Sequence, residues 1–209
     1  MDLWTRAVMI ETKRDDAAQA VARWTAWSAS HKHTFARRLD AALNKGAHPL
    51  LASDCNFPND WKRLKGGPVG AWVRGPWQPS EERFGLVGAR AAPPTVRDRV
   101  QAYARACVEK GERLVSGAAV GVDRAAHQGA VGQGSIAIVP FGIEGDWVGQ
   151  GQVPVGWLLD GGGCLWAASL LRHGARARFV ARNRLLAALC HRLVVAWAAP
   201  KSGSMHTVR

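Results

Sequence analysis

The strongest fold signal in the chain is Leu114-Val-Ser-Gly-Ala-Ala-Val-Gly-Val-Asp-Arg-Ala-Ala-His-Gln-Gly129. Its first two residues predict the end of a buried strand, and its glycines predict a tight turn. Asp123 and His127 lie four residues apart, which places them on one face of a helix. Strand, glycine turn and helix in this order direct backbone N–H groups and the positive end of a helix dipole at one point. The stretch therefore predicts a phosphate site.

The segments on either side alternate between short apolar runs and amphipathic runs. The apolar runs predict strands at 84–88, 112–116, 135–140 and 192–197, and the amphipathic runs predict helices at about 94–110, 122–132 and 181–191. Ile136-Ala-Ile-Val139 has no polar alternation, which is typical of a strand that helices cover on both faces. The alternation predicts an α/β fold, in which a Rossmann-like parallel sheet is flanked by helices.

The N-terminal region predicts a small helical appendage. Asp15-Asp16 can cap a helix over 15–29, and a second helix is expected near 34–45, ended by Gly46. The junction His31-Lys32-His33 is interpreted as a solvated loop, because two histidines without a third ligand do not make a metal site.

Two other segments are less regular. Proline, glycine and tryptophan crowd residues 54–82, which predicts a connector with one short strand at 69–73. Glycines also crowd residues 142–178, where a helix is expected around 165–172. These patterns predict a helical region at 1–53, the connector at 54–82, and a Rossmann-like domain at 83–209.

The charge of the chain favours an acidic partner. Lys and Arg number 28 against 16 Asp and Glu, which gives a formal charge of +12. This balance points to an acidic polymer, although a GC-rich coding sequence also enriches arginine. The four cysteines form no C-x-x-C pair and predict reduced thiols. With no long apolar segment, the sequence predicts a cytoplasmic protein without a membrane span. No metal and no cofactor are expected either.

Glycine-rich or polar segments follow several predicted strands. Gly88-Ala89-Arg90 follows the first strand, the glycine turn follows the next, and Pro200-Lys201-Ser202-Gly203-Ser204 follows the last. A basic run, Arg182-Asn183-Arg184, opens the helix before the last strand. Ligands of open parallel sheets bind beyond the carboxyl ends of the strands. We therefore expect the four segments to converge on one edge of the sheet.

The sequence carries no recognisable catalytic motif. It has no G-x-G-x-x-G dinucleotide fingerprint, no G-x-S-x-G elbow and no H-E-x-x-H helix. Asp123 and His127 lack a nucleophile, so Asp123 is interpreted as a tether of the glycine turn and His127 as a packing residue. Tryptophans such as Trp24 and Trp197 are expected in the core, and Trp147 and Trp157 are the candidates for stacking on bases.

Taken in order, these segments resemble the DNA-processing protein DprA (Smf) family. The resemblance covers about residues 45–209. It is carried by Phe84-Gly-Leu-Val-Gly-Ala-Arg90, by the glycine turn and its helix over 115–130, by Phe179-Val-Ala-Arg-Asn-Arg-Leu-Leu186 and by 201–207, with 54–64 upstream of the sheet. It implies a Rossmann-like domain that binds single-stranded DNA without catalysis, in natural transformation and in the loading of a RecA-type recombinase. It also implies that the protein is usually a dimer.

The resemblance implies a basic pocket for the phosphates of a DNA backbone. Its members are Arg90, Ser116, Gly117, Gly121, Arg182, Asn183, Arg184, Lys201, Ser202, Gly203 and Ser204. The chain departs from the family's pattern at Val120, where an arginine is usual. It also reaches Arg209 inside an expected helix, so the Rossmann-like domain is expected to be incomplete at its C-terminus.

Two alternatives stand beside DNA binding. Similar Rossmann-like domains occur in nucleotide-binding sensors and nucleoside-monophosphate phosphoribohydrolases, but the Pro-Gly-Gly-x-Gly-Thr segment of those enzymes is missing here. The chain can also be interpreted as a partner-binding remnant that uses its basic surface to hold another recombination protein.

Overall fold

The computed structural model describes residues 1–79, 82–140, 142–144, 153–170 and 176–199. Short apolar runs form the strands in this part of the chain. The strands are β1 (Ala47–Leu51), β2 (Gly70–Arg74), β3 (Arg83–Gly88), β4 (Arg113–Ser116), β5 (Ser135–Val139), β6 (Cys164–Ala167) and β7 (Arg192–Ala196). The helices are α1 (Leu3–Thr12), α2 (Ala17–Thr25), α3 (Ala29–Asn44), α4 (Asn59–Lys62), α5 (Pro94–Val108), α6 (Val122–Gly129), α7 (Val155–Leu159) and α8 (Arg176–Leu189).

The strands form one mixed sheet in the order β1-β2-β6-β5-β4-β3-β7. From β6 to β7 the neighbouring strands run parallel, and Gly85 of β3 lies opposite Val115 of β4 on one side and Leu193 of β7 on the other. β1 and β2 extend the sheet with antiparallel pairings. The predicted α/β fold with a parallel sheet flanked by helices is confirmed.

Helices cover both faces of the sheet, which explains why the central strands have no polar alternation. In β5, Ala137 and Val139 belong to the apolar cluster that includes the N-terminal helices. Ile136 and Ile138 of the same strand belong to a cluster on the other side, which contains Trp61 of α4 and residues of α8. Every residue of β5 is buried.

The N-terminal helices pack on the sheet and confirm the predicted helical appendage. Asp16 caps α2 by accepting a hydrogen bond from the Gln19 amide at 2.8 Å. Ser28 caps α3, which therefore begins at Ala29 and not near residue 34. The loop interpretation of His31-Lys32-His33 is wrong, because these residues lie in the first turns of α3.

The helix expected around 165–172 is also wrong. Cys164–Ala167 form β6, a fully buried strand between β5 and β2. Four consecutive apolar positions are too few for their periodicity to separate a strand from a buried helix. Residues 171–172 lie outside the described residues.

Strands from all three predicted units share the sheet. β1 comes from the region 1–53 and β2 from the connector, where a strand at 69–73 was expected. The division of the chain into domains stays a prediction. All four cysteines carry free thiols. None of the helices in the described ranges has the length and apolar composition needed to cross a membrane.

Candidate nucleic-acid interface

Three loops meet beyond the carboxyl ends of β3, β4 and β7. The Ala89 amide donates a hydrogen bond to the Trp197 carbonyl at 2.9 Å, which joins the loop after β3 to the loop after β7. The Val122 amide donates to the Ala89 carbonyl at 3.2 Å, which joins the loop after β3 to the start of α6. The expected convergence is confirmed for the loops after β3 and β4, and Trp197 after β7 lies beside them. Pro200, the first residue of the third predicted segment, lies outside the described residues. Lys201, Ser202, Gly203 and Ser204 lie outside the described residues.

Gly121 makes the tight approach at the start of α6 possible. Its φ of +82° lies in the left-handed region, which favours glycine. A Cβ at this position would overlap the carbonyl oxygens of Ala89 and Arg90. Any other residue would therefore push the glycine turn away from the loop after β3.

Asp123 tethers the glycine turn, as the sequence predicted. Its carboxylate is buried and accepts a hydrogen bond from the Ala119 amide at 3.4 Å. Burial raises the pKa of Asp123 to about 6, against the opposing effects of the Arg182 guanidinium, hydrogen bonds to backbone N–H groups and the charge of Arg90. The charge of this group therefore changes within the physiological range of pH.

His127 of α6 holds the same turn and connects it to β5. Its Nε2 is hydrogen-bonded to the Gly117 carbonyl at 2.7 Å, and its Nδ1 is hydrogen-bonded to Ser135 Oγ of β5 at 2.8 Å. Burial lowers the pKa of His127 to about 4, so the ring is neutral at neutral pH. The predicted packing role is confirmed, since both ring nitrogens are used inside the protein.

Arg182 reaches the same place from α8. Its Nη1 donates a hydrogen bond to the Ile138 carbonyl at 3.1 Å, near the carboxyl end of β5. The side chain is 9% exposed, and its Nε has no hydrogen-bond partner among the described residues. Burial lowers the pKa of Arg182, while the nearby Asp123 carboxylate opposes this effect. The fold thus holds a guanidinium at the carboxyl edge of the sheet.

Gly117 is the residue that leaves room for this arrangement. A Cβ built on it would overlap Arg182 Nη1 and Asp123 Oδ2. The glycine turn therefore lies directly against the buried Arg182 and Asp123 side chains. Arg90 is exposed above them and acts electrostatically on both.

Other residues predicted for the pocket have different surroundings. Ser116 is buried, and its hydroxyl donates to the Leu86 carbonyl at 2.5 Å, which joins β4 to β3. Arg184 is exposed, and its Nη2 donates to the Lys65 carbonyl of the connector at 3.0 Å. Asn183 lies between Arg182 and Arg184 on α8 and is half-buried. α8 begins at Arg176, so this basic run lies inside the helix and not at its start.

Trp197 is a candidate that the sequence interpretation missed. It was expected in the core, but its side chain is 58% exposed, so that expectation is wrong. Its φ of +54° is a left-handed conformation that is rare for a bulky residue, and such conformations cluster at functional sites. The only sequence signal was its position directly after the apolar run of β7. The bond from the Ala89 amide fixes its backbone beside Arg90.

Of the two tryptophans predicted to stack on bases, the structure describes only Trp157. Trp157 is half-buried on α7, packs against the core cluster of the N-terminal helices, and has the Arg124 guanidinium 5.1 Å from its ring centroid. This contact already occupies one side of the ring. Trp147 lies outside the described residues.

The family model and the curated relatives point to one family. The family model of DNA recombination-mediator protein A matches residues 48–209. Protein Smf of Borreliella burgdorferi is 28% identical over 156 residues, which cover 73% of this chain and 50% of that protein. A DNA processing protein DprA of Mycobacterium tuberculosis is 26% identical, and the match covers 92% of this chain and 56% of that protein. The chain spans about half the length of the curated relatives it matches.

Two solved structures share the fold. DNA processing protein A from Helicobacter pylori, whose structure describes its single-stranded DNA binding mode, has a TM-score of 0.67 and 24% identity, covering 78% of this chain and 74% of that chain. DprA from Streptococcus pneumoniae has a TM-score of 0.70 and 23% identity, covering 92% of this chain and 66% of that chain. At these identities the likeness concerns the arrangement of strands and helices.

Proposed function

The chain belongs to the DNA recombination-mediator protein A family, and we propose that it binds single-stranded DNA at the carboxyl edge of its parallel sheet. The observation that carries the proposal is the placement of Arg182. A buried guanidinium is held against a glycine turn, with the exposed Arg90 beside it. Both are cations suited to phosphate oxygens, because a guanidinium presents several donors in a fixed fork.

The backbone of the glycine turn supplies the second kind of contact. The turn from Gly117 to Gly121 leads into the N-terminus of α6, where the positive end of the helix dipole favours an anion. Ser116 would hold the turn in place through its bond to Leu86 and not contact a phosphate through its hydroxyl. The segment 201–204 follows β7 in sequence and is proposed as the last part of the same phosphate site.

Asn183 and Arg184 complete the proposed contact set on α8. Arg184 lies on the side of the connector, so we assign it to a phosphate farther along the strand. The formal charge of +12 adds a sequence-independent attraction for any such polymer.

Trp197 would make the site selective for single strands. An exposed aromatic ring can stack on an unpaired base, whereas bases within a duplex already stack on each other. Stacking of this kind contributes about 1–3 kcal/mol per base and does not depend on the identity of the base.

The wider role follows from family membership and remains part of the proposal. We place the protein in the cytoplasm, acting in DNA uptake and recombination with a RecA-type recombinase as partner, as a homodimer and without catalysis or a cofactor. The family match favours DNA binding over the nucleotide-hydrolase alternative. Release of ribose 5-phosphate from a nucleoside monophosphate would contradict the non-enzymatic assignment.

Removal of Arg90 tests the proposed site. Binding of an oligodeoxythymidine should weaken in Arg90→Ala, and the slope of log K against log salt should fall by about 0.7 for a lost phosphate contact. Arg105→Ala is a matched control, because Arg105 is exposed near the far end of α5 and loses the same charge. Fluorescence anisotropy over a salt series measures both quantities. Equal slopes for Arg90→Ala and Arg105→Ala would overturn the assignment.

A further inference from the structure

A second basic cleft lies between the N-terminal helices and the start of α8. It has a volume of about 270 Å³, close to the lower end of small-ligand sites at about 300 Å³. Its lining includes three cations, Lys13, Arg23 and Arg178, which come from three different parts of the chain. It also includes two aromatic residues, Trp27 and His31.

The charge balance of the cleft favours an anion. Lys13 and Arg23 are exposed at its mouth. The single acidic residue of the lining, Glu11, is held by hydrogen bonds to the fold. Its carboxylate accepts bonds from the Leu170 amide at 2.7 Å and from Ser169 Oγ at 2.6 Å. The lining thus carries three cations against one carboxylate, whose two oxygens accept hydrogen bonds from the loop after β6.

The aromatic residues form a stacked pair. The rings of Trp27 and His31 are 4.2 Å apart with an angle of 9° between their planes. Phe35 packs edge-on against Trp27 at 5.7 Å. The pair is half-buried and fixed by packing, and both residues line the cleft, so a base that enters the cleft meets a preorganised aromatic wall.

The cleft is connected to the proposed DNA site through two elements. Arg178 and Arg182 are four residues apart on α8, so they lie on the same side of the helix about 6 Å apart along its axis. Glu11 of the cleft binds the loop that follows β6, at the same carboxyl edge of the sheet as the glycine turn. A single strand of DNA bound near Arg182 can therefore continue past Arg178 toward α2.

We propose that this cleft binds a nucleotide of the single strand that leaves the carboxyl edge of the sheet, with its phosphate on Lys13, Arg23 and Arg178 and its base on the Trp27–His31 pair. The proposal rests on the proposed function, because it assumes that a single strand occupies the loops around Gly117. It assigns a binding role to the N-terminal helices, which precede residues 48–209 that the family model matches.

Removal of the two exposed cations tests the phosphate half of the proposal. Lys13→Gly is suited to the purpose, because Lys13 has a φ of 57°, which glycine adopts readily. With Arg23→Ala, the double variant should lower the salt slope for a long oligodeoxythymidine by about 1.4, and its affinity by about five-fold for each lost contact at about 0.1 M salt. The control, Arg37→Ala with Arg105→Ala, removes two exposed cations outside the cleft.

Photocrosslinking tests the base half. An oligodeoxythymidine that carries iodouracil should crosslink within the tryptic peptide 24–32, which contains Trp27 and His31. Crosslinks absent from this peptide, or a double variant with the slope of its control, would overturn the proposal. If that happens while Arg90→Ala still lowers the slope, the proposed function stands and only the cleft assignment fails. If wild-type protein does not bind the oligonucleotide, both fail.

Discussion

Replacement of Gly117 by alanine probes the geometry of the glycine turn. A Cβ on Gly117 would lie within 3.0 Å of both Arg182 Nη1 and Asp123 Oδ2. Each of these atoms has a hydrogen bond to lose, since Arg182 donates to the Ile138 carbonyl and Asp123 accepts from the Ala119 amide. The substitution must therefore strain the buried groups or displace one of them.

The magnitude follows from these two outcomes. Overpacking in a filled interior lowers the free energy of unfolding by about 1–3 kcal/mol, and loss of a hydrogen bond to a charged group by about 1.5–3 kcal/mol. Because displacement relieves part of the overlap, we expect Gly117→Ala to lower the free energy of unfolding by about 2–4 kcal/mol. Urea denaturation measures it.

Gly156→Ala is the matched control. Gly156 lies in α7, and a Cβ on it has no neighbouring atom within 4 Å. Alanine in a helix is about 0.5–1 kcal/mol more favourable than glycine, so this variant should be as stable as wild type or slightly more stable. A Gly117→Ala protein within about 0.5 kcal/mol of wild type would refute the reasoning, because the turn would then have room for a side chain.

Three further predictions concern the buried titratable groups and the exposed tryptophan. As the pH falls from 6.5 to about 4, His127 lowers the free energy of unfolding by about 3 kcal/mol, because its native pKa lies below its unfolded pKa. Over the same range Asp123 raises the free energy of unfolding by a similar amount, because its native pKa lies above its unfolded pKa. In urea titrations His127→Gln should therefore gain stability relative to wild type over this range, and equal pH slopes contradict the assignment. Fluorescence anisotropy should show that wild-type affinity for an oligodeoxythymidine falls as the pH rises through about 6, when Asp123 becomes charged. Asp123→Asn should lose this pH dependence, and a variant that keeps it would show that another group causes it. Trp197→Ala should weaken oligodeoxythymidine binding by about 1–3 kcal/mol at an unchanged salt slope, and Trp197→Phe should retain most of the affinity; a lower slope would point to an electrostatic role instead.

Four of the parallel strands, β3, β4, β5 and β7, could be predicted because their signals are local. The apolar runs at β3, β4, β5 and β7 each begin after a glycine or a polar residue, and each predicted strand agrees with the observed one to within one residue at either end. The glycine turn could be placed for the same reason. Asp123 and His127 were assigned correctly as structural, since a carboxylate and an imidazole four residues apart without a nucleophile have no catalytic partner.

The missed elements depend on contacts between distant parts of the chain. β6 is a strand because Trp166 and Leu165 fit between β5 and β2, which no short apolar run can reveal. Arg182 and Arg184 look alike in sequence, yet one is buried on the Ile138 carbonyl and the other exposed on the connector. Their difference is set by the rotation of α8 against the sheet.

The proposed site should prefer single-stranded DNA to duplex DNA. The most direct measurement is the dissociation constant of an oligodeoxythymidine and of a duplex of the same length, each determined by fluorescence anisotropy over the same salt series. We expect tighter binding of the single strand at every salt concentration, because a ring such as Trp197 can stack only on unpaired bases. Equal affinity for the two would contradict it, because a basic surface alone binds both through their phosphates.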